Sequence, residues 1–293
     1  MRIFVTGASG WIGSSVVPEL IGAGHSVVGL ARSDAAASAV AHFGAAVVRG
    51  TLSDRDVLRS AAVSSDAVIH LAYDHGLGQI GGAPIDAEAI DTFTAVLEGT
   101  GKALLITGAT LAVPGRVATE HDELVPRGPI AARIENMRTA LTAADRGVRV
   151  GLVMIPRSVH GQGERHGFIP QLVARARDAG VSAYVGDGSA RWPAVHVKDA
   201  AALYRLAIEK APAGSILNAV GDEGVTVKDI AEAIGRGLDL PVESRPAEEF
   251  GMPFSALFSQ DMPASSAATQ HLLGWTPTHA GLIEDIDLGH YFD

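Results

Sequence analysis

Residues 3–13 read Ile3-Phe4-Val5-Thr6-Gly7-Ala8-Ser9-Gly10-Trp11-Ile12-Gly13, and a helix-like stretch, 16–21, follows. An apolar run, a glycine-rich turn and a helix form the order in which a dinucleotide's pyrophosphate is held. Gly7 permits the tight turn, Gly10 removes a side chain that would keep the backbone off the pyrophosphate, and Gly13 lets helix and strand pack closely. The helix N-terminus offers phosphates its free N–H groups and the positive end of its dipole. Ser9, Trp11 and Ile12 complete the loop and belong to the same expected contact set.

Outward from this loop, apolar runs alternate with helical stretches. The pattern predicts strands over 3–6, 26–31, 45–49, 67–72, 103–107 and 148–154, and helices over 11–22, 35–42, 54–62, 86–97 and 129–144. The strands are continuous aliphatic and β-branched runs, as strands buried on both faces are. Alternation of strand and helix implies parallel pairing with right-handed crossovers. The expected fold is α/β, a doubly wound parallel (Rossmann) sheet with ligands at the carboxyl ends of its strands. Past residue 156 the pattern loosens. Pro, Gly and His cluster between 156 and 170, followed by helices at 168–179, 199–210 and 226–236 and a strand at 216–220; Thr226 is a natural N-cap. This divides the chain into a nucleotide-binding domain, 1–155, rejoined by 195–220, and a smaller, mainly substrate-binding region, 156–293.

Composition narrows the function. The 293 residues are 47% apolar and 19% charged, which describes a globular chain. A net charge of −10 without a basic block argues against nucleic-acid or anionic-membrane partners. The absence of cysteine excludes disulfides, thiolate metal sites and a cysteine nucleophile. No apolar run approaches the roughly 20 residues that span a bilayer. The N-terminal apolar stretch is too short for a signal peptide, so a cytoplasmic protein is expected. His160 with His166, and His70 with His75, lack a shared helix or strand face, so no metal is expected. Gly108-Ala109-Thr110 supplies no serine nucleophile elbow.

Four segments together carry a family resemblance: residues 6–13, Val68-Ile69-His70-Leu71-Ala72, Arg191-Trp192-Pro193-Ala194-Val195-His196-Val197-Lys198-Asp199-Ala200-Ala201, and Leu273-Gly274-Trp275-Thr276-Pro277. In this order and spacing the chain resembles, nearly end to end, the extended short-chain dehydrogenase/reductases, which include NAD-dependent epimerases and dehydratases. The resemblance implies a bound nicotinamide dinucleotide and a small-molecule substrate. It places Thr51, Leu52, Leu71, Ala72 and Tyr73 along the adenine and pyrophosphate, with Thr51 where the family often has Asp. It adds Thr107, Pro156 and Val159 to the cofactor contacts. It also implies substrate contacts within 76–83, 157–167 and 184–193. Helices 86–97 and 129–144 are its usual dimer pair, and Ala131, Ala132, Ala140, Ala143 and Ala144 would allow close approach in a homodimer.

At the end of the second strand, where an NAD enzyme places an acid for the ribose 2′-hydroxyl, the chain reads Gly29-Leu30-Ala31-Arg32-Ser33. Arg32 offers a planar cation and Ser33 a hydroxyl to a 2′-phosphate, so NADP(H) is favoured over NAD(H). The family's proton chemistry uses Ser/Thr, then Tyr four residues before Lys on one helix face. Here Thr110 fills the first position and Arg133 the last, but Pro129 stands where Tyr is expected, and no Tyr occurs between Tyr73 and Tyr184. Arg133 can bind ribose but is a poor proton relay. After the sixth strand the family's Arg-Pro and Tyr-Gly become Ile155-Pro156 and His160-Gly161. Tyr73, His75, His160 and Tyr184 are the candidate proton donors, with Tyr73 and His160 foremost, the latter because histidine titrates near neutrality. His70 and His196 lie inside strand-like runs and read as structural. The leading expectation is an NADP(H)-dependent oxidoreductase acting on a small carbonyl, alcohol or imine, with atypical acid/base residues. A redox-neutral epimerase or dehydratase with bound NAD(P), and a non-catalytic NADP(H) sensor, are the alternatives.

Overall fold

The computed structural model describes residues 1–251 and 254–293, apart from the side chains of Gln79 and Phe254. The first half alternates β1 (Arg2–Thr6), α1 (Gly13–Gly22), β2 (Ser26–Ala31), α2 (Asp34–His42), β3 (Ala46–Arg49), α3 (Arg55–Val63), β4 (Ala67–His70), α4 (Gly78–Leu97), β5 (Ala103–Ala109), α5 (Ala131–Leu141) and β6 (Arg149–Ile155). The second half continues with β7 (Ser158–His160), α6 (Phe168–Ala179), β8 (Ser182–Val185), β9 (Arg191–His196), α7 (Val197–Lys210), β10 (Ser215–Asn218), β11 (Asp222–Thr226), α8 (Val227–Leu238), β12 (Val242–Arg245), α9 (Phe254–Ser259), α10 (Ala267–Leu273) and α11 (Leu282–Asp287).

Seven strands form one sheet in the order β10-β6-β5-β4-β1-β2-β3. Every neighbouring pair in it is parallel. Alternate residues of each strand point to opposite faces, and both faces are covered. Ile3 and Val5 of β1 meet Val16, Val17 and Leu20 of α1 and Leu203, Tyr204 and Ile208 of α7 in one core. Phe4 points the other way, into a second core with Leu58 of α3, Phe93 of α4 and Met137 of α5. The chain reverses its direction of travel across the sheet at β1, which lies between β2 and β4. Crevices at such reversals are where open α/β sheets take their ligands.

A third core, with Ile169, Leu172, Trp192, Ile230, Leu282 and Ile286, sits under the second half. Two smaller sheets accompany it, β11-β9-β7 and the parallel pair β12-β8. Several boundaries differ from the sequence pattern. The helix expected to start at 86 starts at Gly78, and the one expected over 129–144 is a 3-10 turn, α5 and a second 3-10 turn that stops at left-handed Gly147. Ala140 and Ala143 are buried in the chain's own second core, while Ala132 is exposed. Among the described residues no helix is long and apolar enough to cross a membrane.

Candidate active site

A cleft of about 1260 Å³ runs along the carboxyl ends of the sheet strands. Leu30, Arg32 and residues 50–53 wall one part of it; Gly7 and residues 9–14 wall the next. Residues 71–76, with Ile85, Pro156, Arg157, Val159 and residues 162–168, form the remainder. The glycines show why it is shaped for a dinucleotide. Gly7 has φ +70°, and a Cβ there would lie 2.8 Å from the Ala72 nitrogen. A Cβ at Gly13 would fall 2.2 Å from the Gly7 carbonyl oxygen, so α1 and the loop meet only because both positions are bare. At Gly10 a Cβ would have just the Gly7 oxygen within 4 Å, which leaves bare backbone facing the cleft at the head of α1. That cradle fits a pyrophosphate on a helix N-terminus. Trp11 ties it to the second half, its indole Nε1 donating to the Val159 carbonyl at 2.6 Å.

The turn is braced from beneath. The Thr6 hydroxyl lies 2.7 Å from His70 Nδ1, and accepts from the Ala72 N–H at 3.2 Å. His70 Nε2 is 3.2 Å from Asp86 Oδ1, and the Asn136 amide donates to Asp86 Oδ2 at 2.8 Å and to the Ala83 carbonyl at 2.9 Å. An ionised Asp86 only accepts, so His70 donates to it from Nε2. His70, read as structural, holds the glycine loop, the end of β4, α4 and α5 in one buried network.

Of the site residues named individually from sequence, fourteen stand on the cleft wall: Gly7, Ser9, Gly10, Trp11, Ile12, Gly13, Arg32, Thr51, Leu52, Leu71, Ala72, Tyr73, Pro156 and Val159. Others stand elsewhere. The Ser33 hydroxyl accepts from the Ala36 N–H at 3.2 Å and caps α2. Arg49 pairs with Asp34 and donates to the Ser33 carbonyl, so the carboxylate nearest the end of β2 is already engaged. The Thr51 hydroxyl and N–H both donate to Asp54, at 2.8 and 2.7 Å.

Behind the wall, Arg133 places its guanidinium carbon 4.5 Å from the Tyr73 ring centre and donates to the Thr107 carbonyl at 3.1 Å. The Thr107 hydroxyl is 2.7 Å from that of Tyr204. Thr110 Oγ1 is buried with no hydrogen-bond partner among the described residues. Burial raises the Tyr73 phenol above its ordinary pKa, so it is a neutral donor at physiological pH.

His160 requires a correction. Expected beside the nicotinamide, it is fully buried, with Nδ1 2.9 Å from Asp285 Oδ2. It ends β7, packs its ring edge-on against His196 of β9 and is absent from the cleft wall. Residues 184–193 are likewise absent from the wall, and Trp192 is instead buried in the third core. Within 76–83, Gly76 lines the cleft and Ala83 is buried; the side chain of Gln79 lies outside the described part of the chain.

Glu164 lies in the 157–167 stretch expected to touch substrate, but nothing in the sequence singled it out. It lines the cleft yet is only 7% exposed. Its Oε2 accepts from the Tyr291 hydroxyl at 2.7 Å. That hydroxyl also accepts from the Gly161 N–H at 3.0 Å and lies 3.4 Å from Asp285 Oδ2. Burial pushes the Glu164 carboxyl up to about 7; the Tyr291 hydrogen bond pulls the other way, and the Asp285 charge adds to the rise. Arg157, also on the wall, is pushed by burial down to about 10 and remains a cation at neutral pH.

Comparison with known proteins places this geometry. The model of the NAD dependent epimerase/dehydratase family matches residues 3–219. The chain is 44% identical over 299 residues to an uncharacterized protein of Schizosaccharomyces pombe, covering 100% of both. It is 28% identical over 322 residues to the UDP-glucose 4-epimerase of Streptomyces lividans, covering 96% of this chain and 93% of that one. It is also 28% identical over 226 residues to the 2-alkyl-3-oxoalkanoate reductase of Stenotrophomonas maltophilia, covering 73% of this chain and 67% of that one. Among solved structures, the NAD-bound dTDP-glucose 4,6-dehydratase DesIV of Streptomyces venezuelae superposes with a TM-score of 0.79 at 20% identity, covering 99% of this chain and 96% of that one.

Proposed function

The chain belongs to the NAD-dependent epimerase/dehydratase family, and we propose that within it the protein is an NADP(H)-dependent oxidoreductase acting on a small carbonyl, alcohol or imine. The continuity of the cleft carries this reading. One cavity joins Arg32, the bare backbone at Gly10, and the wall at Pro156 and residues 162–168, so a dinucleotide on the glycine loop leaves room for a small molecule. The nicotinamide supplies hydride chemistry when bound. The chain's own share is to bind, orient and exclude water. Gly7, Gly10 and Gly13 would hold the pyrophosphate, Leu71, Ala72 and Tyr73 one side of the dinucleotide, and Pro156 and Val159 the nicotinamide end. Tyr73, as a neutral phenol, would hydrogen-bond the substrate oxygen or nitrogen.

Two features support NADP(H). Arg32 stands on the wall where an NAD enzyme places a carboxylate, and Arg49 engages Asp34, the acid closest in sequence. The relatives include a reductase, which is in keeping with net reduction, and an epimerase, which is in keeping with the redox-neutral alternative. The test is NADPH consumption against a panel of ketones, aldehydes and imines, with NADPH and NADH affinities measured in the same preparation. Saturable turnover with tighter NADPH binding is the expected result. Product formed without net NADPH loss would instead support an epimerase or dehydratase. Tight NADPH binding with no turnover of any kind would support a sensor.

A further inference from the structure

The family's usual proton donor is missing, and His160, one of the two foremost replacements expected, is absent from the cleft wall. The wall holds a different acid. We infer that Glu164 is the catalytic proton donor to the substrate, a role that rests on the reductase reading and deepens it.

The geometry is that of a fixed carboxylic acid. Oε2 is occupied by the Tyr291 hydroxyl, which leaves Oε1 as the oxygen to carry and deliver the proton. The side chain lies flat over residue 167, where a Cβ would fall 1.4 Å from Oε1; glycine there is what allows the carboxyl its position. The loop is anchored beside the expected cofactor, because a Cβ on Gly163 would lie 3.9 Å from the Trp11 ring, and Trp11 belongs to the glycine turn.

The groups facing Glu164 act on its proton in both directions. Tyr291 comes from the chain's end and Asp285 from α11, with Asp285 in turn paired to His160 and 3.7 Å from His290. Arg165 and His166 follow Glu164 in its own loop, and Arg157 is on the same wall. Burial, and then the Asp285 charge, raise the acid to about 7, so that it exchanges its proton near neutral pH, while Arg157 at the wall is a cation. In reduction the substrate oxygen would take the proton from Oε1–H, which becomes carboxylate, with a bound nicotinamide supplying the hydride to the carbonyl carbon. Water then returns a proton to Glu164. In oxidation the carboxylate accepts the alcohol's proton. Reduction therefore requires Glu164 protonated and falls as pH rises through about 7; oxidation rises over the same range.

Two measurements on the whole protein test this. The first is pH-difference infrared spectroscopy of wild type and Glu164→Gln, which needs no turnover. A protonated carboxyl band that titrates near neutrality in wild type and is absent from the variant is expected. A spectrum with no such band in wild type, or one unchanged in the variant, would overturn the assignment.

The second is pre-steady-state reduction of whichever carbonyl compound wild type turns over. A general acid contributes about 10²–10⁴-fold, so Glu164→Gln should slow the hydride step by at least about 100-fold with NADPH affinity unchanged. Tyr291→Phe removes a hydrogen bond that stabilises the carboxylate, so its basic limb should move to higher pH. It decides the matter if Glu164→Gln misfolds: a limb that stays in place overturns the proposal. Turnover in wild type with an equally fast Glu164→Gln would sink Glu164 and spare the reductase reading. No wild-type turnover of any carbonyl or imine would remove the reading itself and the donor role with it.

Discussion

Arg32 sits directly after β2, on the cleft wall, and its role can be isolated from the rest of the site. A charge-assisted bond to a 2′-phosphate is worth about 1.5–3 kcal/mol. Arg32→Ala should therefore weaken NADPH binding by roughly 10- to 100-fold in a fluorescence titration. NADH, which lacks the phosphate, should be nearly unaffected. Equal losses for both cofactors would place Arg32 away from the adenosine ribose. This residue was legible because its signal is local: a strand end, read in five consecutive positions. The same holds for Gly7, Gly10 and Gly13. Glu164 was legible only as one of the residues 157–167, because what makes it unusual is Tyr291, 127 residues away, and a flat contact over Gly167 that no spacing rule encodes. His160 misled for the complementary reason. Its position after the sixth strand was read correctly, but its neighbour Asp285 comes from a helix 125 residues on, and that pairing turns the ring inward.

At the scale of elements, the strands of the seven-stranded sheet were read, short and mostly exposed β3 included, and those of the two smaller sheets were not. The runs that became β1, β2, β4, β5 and β6 are apolar on both faces. β8 and β12 are four residues each and mostly part-exposed, so they carry no periodic signature. The start of α4 was placed late because Gly78, Gly81, Gly82 and Pro84 all argue against helix locally, and packing of Ala83, Ala89 and Ile90 outweighs them. That extension matters, since α4 delivers Asp86 to His70 and Asn136. Asp86→Ala would strand His70 Nε2–H and the Asn136 amide without their acceptor, at a cost of about 1–3 kcal/mol. Urea unfolding at neutral pH measures it. The sign of the acid response also follows. Burial pushes Asp86 upward, but the hydrogen bond and charge of His70, then Asn136, hold it below its ordinary value of 3.8. Its contribution is present above that value and fades as pH falls through the lower folded-state pKa. Wild type should therefore lose stability there, and Asp86→Asn should show a shallower loss. Parallel profiles would remove Asp86 as a source of acid sensitivity.

Across the whole molecule, the two sheet cores and the third core are bridged by the end of the chain. Trp275 is buried in the first core and donates from Nε1 to the Asp199 carbonyl at 3.0 Å. Asp199 in turn accepts from the N–H groups of Thr278 and His279, each at 3.0 Å. Beyond that clasp, Leu282, Ile286 and Tyr291 enter the third core, and Asp285 and Tyr291 reach His160 and Glu164. No residue from 282 onward belongs to either sheet core among the described residues. Ending the chain at Gly281 should thus divide the molecule's stability. Each of the three lost apolar side chains is worth roughly 1.5–3 kcal/mol of burial, all of it taken from the third core. Hydrogen exchange followed by mass spectrometry should show residues 158–179 and 227–238 opening faster while β1, β4 and β5 keep their protection. The glycine loop is built on β1 and α1, so cofactor affinity should fall far less than turnover, which loses the Tyr291 hold on Glu164. If β1 and β4 exchange as fast as α6 and α8, the cores unfold as one cooperative unit, and the chain's end stabilises the sheet as well as the catalytic loop.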